Sequence, residues 1–94
     1  MQQDKFVWDE DKYNANLKKH GIAFNEATSV FDDVNALYFA DEKHSDEEER
    51  FIVIGMSDQI RMLMVCHCYR DKNSVIRLIS ARKANKNEIA QYRG

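Results

Sequence analysis

Three consecutive segments in the second half of the chain constrain its fold most. Residues 50–56, 61–70 and 74–82 are each rich in β-branched or large apolar side chains, which favour strands. The connections between them, residues 57–60 and 71–73, are short and polar, as in β-hairpins. The sequence therefore predicts three antiparallel neighbouring strands in a meander.

Shorter elements precede this meander. Residues 6–8 are a strand candidate, and Asp9 after them is a favourable N-cap for a helix that runs to His20 and stops at Gly21. Apolar spacing predicts a second short helix over residues 25–31, and residues 36–40 are a further strand candidate.

The end of the chain carries a helix signal of its own. Asn85 is an N-cap candidate with Glu88 three positions later, a near relative of the capping box, so a short final helix is expected. A chain of 94 residues without proline, repeats or a low-complexity linker has room for one core. The order of elements predicts an α+β fold, with residues 1–94 forming one domain.

Charge is unevenly distributed along the chain. Residues 1–60 hold six Lys or Arg against fourteen Asp or Glu, a balance of −8, whereas residues 61–94 hold eight against two, a balance of +6. The net charge of −2 therefore hides a basic half that can meet phosphates and an acidic half that can meet a basic partner, or the imbalance is only a solvated surface. Residues 41–49, DEKHSDEEE, are expected to form an exposed acidic loop.

Location follows from what the sequence lacks. No stretch approaches a membrane span, and the first residues, MQQDKFVWDEDK, lack the apolar core of a signal peptide. Cys66 and Cys68 are two positions apart in an apolar run, poorly placed to bridge each other, and reduced thiols fit the cytoplasm. A cytoplasmic protein without membrane contact is expected.

The two hairpins allow a register to be predicted. Pairing Met56 with Arg61 puts Arg50 opposite His67, and pairing Arg70 with Ser74 puts His67 opposite Arg77. These three side chains then form a row across three strands, with neighbouring Cβ atoms about 5 Å apart.

Such a row has the groups that RNA cleavage without a metal requires. A histidine titrates near neutral pH and can move the proton of a 2′-hydroxyl, while arginines hold phosphate oxygens in a planar fork. We therefore predict His67 as base or acid and Arg50 with Arg77 on the phosphate. The competing interpretation of His67, a satisfied core or strand-edge histidine, is the more frequent case for a single histidine on a strand.

Other polar residues are secondary candidates. Arg61, Arg82 and Lys83 are predicted to bind RNA beside the row, although each also fits a solvated charge, and Arg61 also fits an exposed strand end. His44 in the acidic loop is a further candidate acid.

A metal site is not expected. Strand alternation sends His67 to the face opposite Cys66 and Cys68, and no second cluster completes four ligands. Met62, Met64, Cys66 and Cys68 are better interpreted as an apolar stripe packed under the helices.

Several motifs together resemble one known family. Residues 6–33, FVWDEDKYNANLKKHGIAFNEATSVFDD, show an FxWD start, a KHGI helix stop and an FxEAxxVFDD helix. The segments DEKHSDEEER, FIVIGMS, RMLMVCHCYR and IRLISARKA, with Glu88 and Tyr92 beyond them, continue the likeness. The chain is similar to the BrnT toxins of type II toxin–antitoxin systems, and it departs from their pattern at Ile60, where a glycine is expected before Arg61.

The resemblance implies a RelE-like fold and a metal-independent endoribonuclease without a cofactor. Cleavage of RNA would inhibit translation, and a BrnA-like antitoxin with a ribbon-helix-helix domain would neutralise the toxin in a 2:2 complex that binds operator DNA through the antitoxin. The polar positions that match the family pattern are His44, Arg50, Arg61, His67, Arg77, Arg82 and Tyr92.

Two other functions fit the same residues. A non-catalytic module could bind nucleic acid with its basic half or a partner at an open sheet edge. A degenerate toxin would keep antitoxin binding without catalysis.

Overall fold

The computed structural model describes residues 5–44 and 48–94. Its strands are β1 (Lys5–Val7), β2 (Leu37–Ala40), β3 (Phe51–Met56), β4 (Met62–Arg70) and β5 (Val75–Lys83). Its α-helices are α1 (Glu10–His20), α2 (Phe24–Thr28) and α3 (Lys86–Arg93), and short 3-10 helices cover Ser29–Asp32 and Glu42–His44. The α+β fold class is confirmed. Part of the predicted acidic loop, residues 45–47, lies outside the described residues.

Within the described ranges the strands form one five-stranded sheet in the order β1-β5-β4-β3-β2. β2, β3, β4 and β5 are antiparallel neighbours, which confirms the meander. β1 joins β5 in parallel, with Phe6 opposite Ile76. The N-terminal strand β1 is thus one edge strand of the sheet, and β2 is the other.

Local signals set the ends of helix α1 as predicted. The Asp9 side chain accepts a hydrogen bond from the Lys12 N–H at 3.0 Å, which satisfies an otherwise unpaired donor of the first turn. Gly21 ends the helix in the left-handed conformation, with a φ of 72°. Glycine adopts this conformation without the steric strain that a side chain would add. The second helix is shorter than the predicted 25–31, because the chain tightens into a 3-10 helix from Ser29 onward.

Helices α1 and α2, with the 3-10 helix Ser29–Asp32, cover one side of the sheet, which we call the helix face. Phe24, Ala27 and Val30 are fully buried there against strand residues such as Val53 and Val65. The predicted packing of Met62, Met64, Cys66 and Cys68 under the helices is wrong for α1 and α2, since alternation along β4 puts these side chains on the side opposite Val65.

A bulge in β5 adjusts its alternation to this core. His67 pairs with Leu78 and Cys66 pairs with Ser80, so Ile79 is an extra residue in β5. The inserted residue lets both Leu78 and Ala81 point into the core, although they are three positions apart. Asn16 of α1 fixes this region, because its side chain donates to the Ala81 carbonyl at 2.9 Å and accepts from the Ala81 N–H at 3.1 Å.

Helix α3 begins as predicted with a capping box formed by Asn85 and Glu88. Its last turn is tied to the preceding part of the fold by Tyr92, whose hydroxyl donates to Asp33 at 2.7 Å. No helix among the described residues is long and apolar enough to cross a membrane.

Candidate functional site

The two hairpin registers differ from the prediction by one residue each. Phe51 lies opposite His67 on β3, and Leu78 lies opposite it on β5. The predicted row of Arg50, His67 and Arg77 is therefore wrong. In the first hairpin the cause is a turn one residue longer than predicted, which Ser57 closes by donating its N–H to the Arg61 carbonyl at 2.8 Å.

Both registers shift in the same direction, so the two arginines still share a row. Arg77 pairs with Cys68, and continuing the β3–β4 register by one residue places Arg50 on the other side of Cys68. Arg50 keeps extended pairing, since its carbonyl accepts the Asp41 N–H at 2.8 Å. Two strand spacings separate the backbones of Arg50 and Arg77 by about 10 Å, a distance that two arginine side chains span around a phosphate.

This row lies on the side of the sheet opposite helices α1 and α2. The side chains of Arg70, Arg77 and Arg82 point there together with Cys66 and Cys68, and we call this side the arginine face. Among the described residues no carboxylate lies within ion-pair distance of Arg77. Among the residues that the structure describes, Arg77 is thus a half-buried cation without a carboxylate partner.

His67 lies on the helix face, away from the arginines. It is 0% exposed and is surrounded by the rings of Phe31, Phe51, Tyr38 and Tyr69, with ring centroids 4.8 to 6.3 Å away. Burial lowers its pKa to about 4, against a smaller opposing effect of the Val65 carbonyl near Nδ1. His67 is therefore a neutral core side chain that cannot reach a phosphate in this structure.

Carboxylates at the two ends of the acidic loop contact the arginine face. Glu48 pairs with Arg70 at 3.2 Å and lies 3.6 Å from the Cys68 sulfur, while Asp41 lies 3.8 Å from the Cys66 sulfur. Burial, with the charge of Asp41, raises the pKa of the Cys66 thiol to about 11. Cys66 is thus an unreactive thiol, and both cysteines are free as expected.

Arg82 is held at the edge of this face by helix α3. Its guanidinium donates two bonds of 2.9 Å to the two carboxylate oxygens of Glu88. Burial opposes the charge on Glu88, but the bonds from Arg82 and the Asn85 N–H outweigh it and lower the pKa of the carboxyl. Lys83, next in the chain, is exposed.

Arg61 has an internal partner that the sequence does not indicate. Its Nε donates to Glu26 at 2.9 Å, and a terminal guanidinium nitrogen donates to the other oxygen of the same carboxylate. Ser57 donates a third bond to Glu26 at 2.6 Å. The Arg61 bond is the main reason that the pKa of this buried carboxyl is lowered. Arg61 therefore ties the β3–β4 turn to helix α2.

Tyr92 and His44 were the remaining candidates. The hydroxyl of Tyr92 is bonded to Asp33, which raises the pKa of Tyr92, so this side chain anchors α3. Burial opposes the charge on Asp33, but hydrogen bonds from the Met56 N–H, Tyr92 and the Asn35 N–H hold its pKa below the ordinary value. The side chain of His44 lies outside the described residues.

A depression of about 470 Å³ lies near the β4–β5 turn, lined by Glu48, Glu49, Phe51, Tyr69 and Asn73. Its two carboxylates repel phosphate, so it does not compete with the arginine face as a nucleic-acid site. Among residues 5–44 and 48–94, no three His, Cys, Asp or Glu side chains converge as metal ligands.

Comparison with known proteins agrees with this architecture. A family described as the ribonuclease toxin BrnT of type II toxin–antitoxin systems matches residues 8–88. The crystal structure of the Brucella abortus ribonuclease toxin BrnT superposes with a TM-score of 0.68 at 24% identity, covering 89% of this chain and 100% of that one. No curated protein matches the chain.

An α+β domain with an arginine-bearing sheet face and this family match is a toxin of the ribonuclease class of type II toxin–antitoxin systems. Within that class, the chain belongs to the BrnT family.

Proposed function

We propose that this chain is an endoribonuclease that binds RNA on the arginine face, cleaves it without a metal and thereby arrests translation. Family membership over residues 8–88 is the observation that carries the proposal. The arginine row supports it, because Arg50 and Arg77 flank Cys68 and no described carboxylate pairs with Arg77.

In the proposed reaction, the 2′-hydroxyl gives up its proton as its oxygen attacks the adjacent phosphorus. The bond from phosphorus to the 5′-oxygen of the next nucleotide breaks and that oxygen takes up a proton, which leaves a 2′,3′-cyclic phosphate and a 5′-hydroxyl. Negative charge develops on the phosphate oxygens as the pentavalent state forms. Arg50 and Arg77 stabilise that charge from both sides of Cys68. Lys83, which is exposed beside Arg82, contacts a flanking phosphate of the strand.

The proton transfers require a group other than His67, which the aromatic rings enclose. We assign one of them to His44. The segment that contains His44 begins at Asp41 and reaches Glu48, and both of these residues contact cysteines of the arginine face. An imidazole can both accept and give up a proton, so it suits a proton transfer to or from the ribose.

Arg61 and Arg82 have a weaker part in this proposal than in the sequence-based prediction. Glu26 and Glu88 occupy their guanidinium groups. We therefore expect substitution of Arg61 to lower stability more than it lowers the rate of cleavage.

The decisive experiment measures cleavage of a labelled single-stranded RNA by purified wild type and Arg77→Ala. Loss of one transition-state donor typically lowers the rate about 100-fold, and we expect that loss with an unchanged unfolding midpoint. Arg93→Ala, which removes a cation at the end of α3, is the matched control and should cleave like wild type. A full rate in EDTA would support metal independence.

Two histidine variants test the assignment of proton transfer. His44→Gln should lose cleavage, whereas His67→Phe should keep it. The opposite result would return the catalytic role to His67 and would require the core around it to open. An RNA left intact by soluble wild type would favour the non-catalytic module or the degenerate toxin.

The proposed partner is an antitoxin with a ribbon-helix-helix domain, encoded in the adjoining reading frame, that forms a 2:2 complex and carries it to operator DNA. Expression of the chain alone should stop growth and incorporation of labelled amino acids, and co-expression of the adjoining frame should restore both. The mass of the complex in solution tests the stoichiometry. Arrest that the adjoining frame does not relieve would contradict this partner.

A further inference from the structure

Strand β2 presents an edge of the sheet that has little protection. It is the terminal strand in the order β1-β5-β4-β3-β2, and its sequence Leu37–Ala40 is LYFA, without a charge or a proline. Tyr38 is 50% and Phe39 is 41% exposed. Soluble proteins usually guard an edge with lysine, proline or a bulge, because an open edge pairs with other strands. This strand therefore has the composition of a pairing surface.

Backbone geometry identifies the group that would pair. Asp41 donates its N–H to Arg50, across the β2–β3 ladder, at 2.8 Å. Backbone groups alternate in direction along an antiparallel strand, so Phe39 also points its N–H toward β3 and Ala40 points its N–H away. Among the described residues none lies beyond β2 in the sheet. The Ala40 N–H is thus a donor at the open edge.

The charges around this edge specify the partner. Residues 32–43 contain four carboxylates and a single basic residue, Lys43. Asp32, before the strand, and Glu42, after it, are exposed. A second copy that paired antiparallel along this edge would bring its Glu42 end to the Asp32 end of the first, and like charges would repel at both ends. A basic segment would meet attraction at both ends instead.

We propose that the β2 edge docks an extended segment of the antitoxin, apolar at alternate positions and flanked at both ends by lysine or arginine. The added strand continues the sheet beyond β2, accepting from the Ala40 N–H and covering Phe39. Four residues of pairing span about 13 Å, and the basic flanks then lie beside Asp32 and Glu42. The inference rests on the proposed function for the existence of an antitoxin, and it adds the surface and the chemistry of the contact.

Ala40→Pro tests the edge directly. Proline removes the outward N–H and is tolerated on an edge strand, because no ladder bond to β3 is lost. Binding of the protein encoded in the adjoining frame is measured by calorimetry, and we expect about tenfold weaker affinity from the lost main-chain bonds and the steric block. RNA cleavage and the unfolding midpoint should stay at the wild-type values. Lys86→Pro is the matched control, because proline is favoured at the first position of helix α3.

Charge reversal tests the chemistry of the partner. The double variant Asp32→Lys with Glu42→Lys should bind the same protein about tenfold more weakly, and the loss should shrink in high salt. Asp11→Lys is the control for a charge reversal elsewhere on the surface, because helix α1 packs on β5, away from strand β2. Equal affinity of the double variant and wild type would contradict the proposal that lysine or arginine flanks the docked segment.

Amide exchange on the wild-type complex keeps the test decisive even if a variant folds poorly. The Ala40 amide should exchange quickly in the free chain and become protected in the complex. Fast exchange of Ala40 in an intact complex, or wild-type affinity in Ala40→Pro, overturns the inference. So does a free chain that is a dimer and becomes a monomer on Ala40→Pro, since the occupant is then a second copy. If the protein encoded in the adjoining frame does not bind wild type, both this inference and the antitoxin part of the proposed function are wrong. The ribonuclease part is tested separately by the cleavage assay.

Discussion

Mild acid should destabilise this protein through His67. In the folded chain the pKa of His67 is lowered to about 4, while an exposed imidazole in the unfolded chain has the ordinary value of 6.5. Above pH 6.5 the ring is neutral in both states, so its contribution to stability is fully present. As the pH falls toward 4 the unfolded chain binds the proton first, and that contribution is lost.

The size of the effect follows from the two pKa values. The difference between 6.5 and about 4 corresponds to about 3 kcal/mol, of which about 2 kcal/mol is lost between pH 7.5 and pH 5. In the folded chain the pKa values of buried Glu26 and half-buried Asp33 and Glu88 are lowered from 4.5, 3.8 and 4.5, so these carboxyls stay ionised across this interval. Most of the loss between pH 7.5 and pH 5 therefore comes from His67.

Urea unfolding at pH 7.5 and pH 5 measures this loss. Trp8 is the single tryptophan, and it packs edge-on against Phe24 at 5.6 Å between ring centroids, so its fluorescence reports the core. His67→Phe removes the titrating group from an aromatic cluster and should lose less than about 0.5 kcal/mol over the same interval. His20→Gln, at the end of helix α1, is the control and should keep the wild-type dependence.

Two results would refute the reasoning. One is a wild-type free energy of unfolding that is the same at both pH values. The other is a His67 ring that titrates near pH 6.5 in the folded chain, followed by its NMR signals. Either would mean that water or a phosphate reaches the ring.

Three further substitutions test packing and backbone strain by urea unfolding. Asn16→Ala leaves the buried N–H and carbonyl of Ala81 without a side-chain partner and should cost about 2–3 kcal/mol, whereas a cost near zero would mean that water replaces the amide. Gly55→Ala puts a methyl group 2.9 Å from Val30 Cγ1 and should lower the free energy of unfolding by about 1–3 kcal/mol. An unchanged free energy of unfolding would mean that the neighbouring side chains move aside. Ile60→Gly should stabilise by up to about 1 kcal/mol, because Ile60 is β-branched with a φ of 61°, and a loss instead would show that its exposed side chain is needed.

Features set by neighbouring residues could be predicted from the sequence. Asp9, Gly21 and Asn85 mark helix ends by interactions within one turn, and all three have the predicted roles. Alternation along β4 correctly separated His67 from the cysteines. Both sides of β4 are apolar, however, so alternation alone did not indicate which side the helices cover.

The site was harder to predict because it depends on turn geometry and on contacts distant in sequence. The β3–β4 turn includes Ile60 in a left-handed conformation, which a sequence usually signals by glycine or asparagine. Because this signal is missing, the predicted register was one residue away from the observed one. Arg61 and Glu26 are 35 positions apart, so no spacing rule relates them. The arginine row kept two of its three members because two register errors had the same sign.

The internal ion pairs determine how this protein should respond to salt. Arg61, Arg70 and Arg82 each hold a carboxylate of the same chain. An arginine that exchanges such a carboxylate for a phosphate returns the carboxylate to water with its own counterions, so the net release of ions on binding RNA is small. With Arg50, Arg77 and Lys83 as the contributing cations, the logarithm of affinity should fall with the logarithm of salt concentration with a slope of about −2.1. Residues 61–94 hold eight lysines or arginines, and if all eight contributed, affinity would depend on salt more steeply than this.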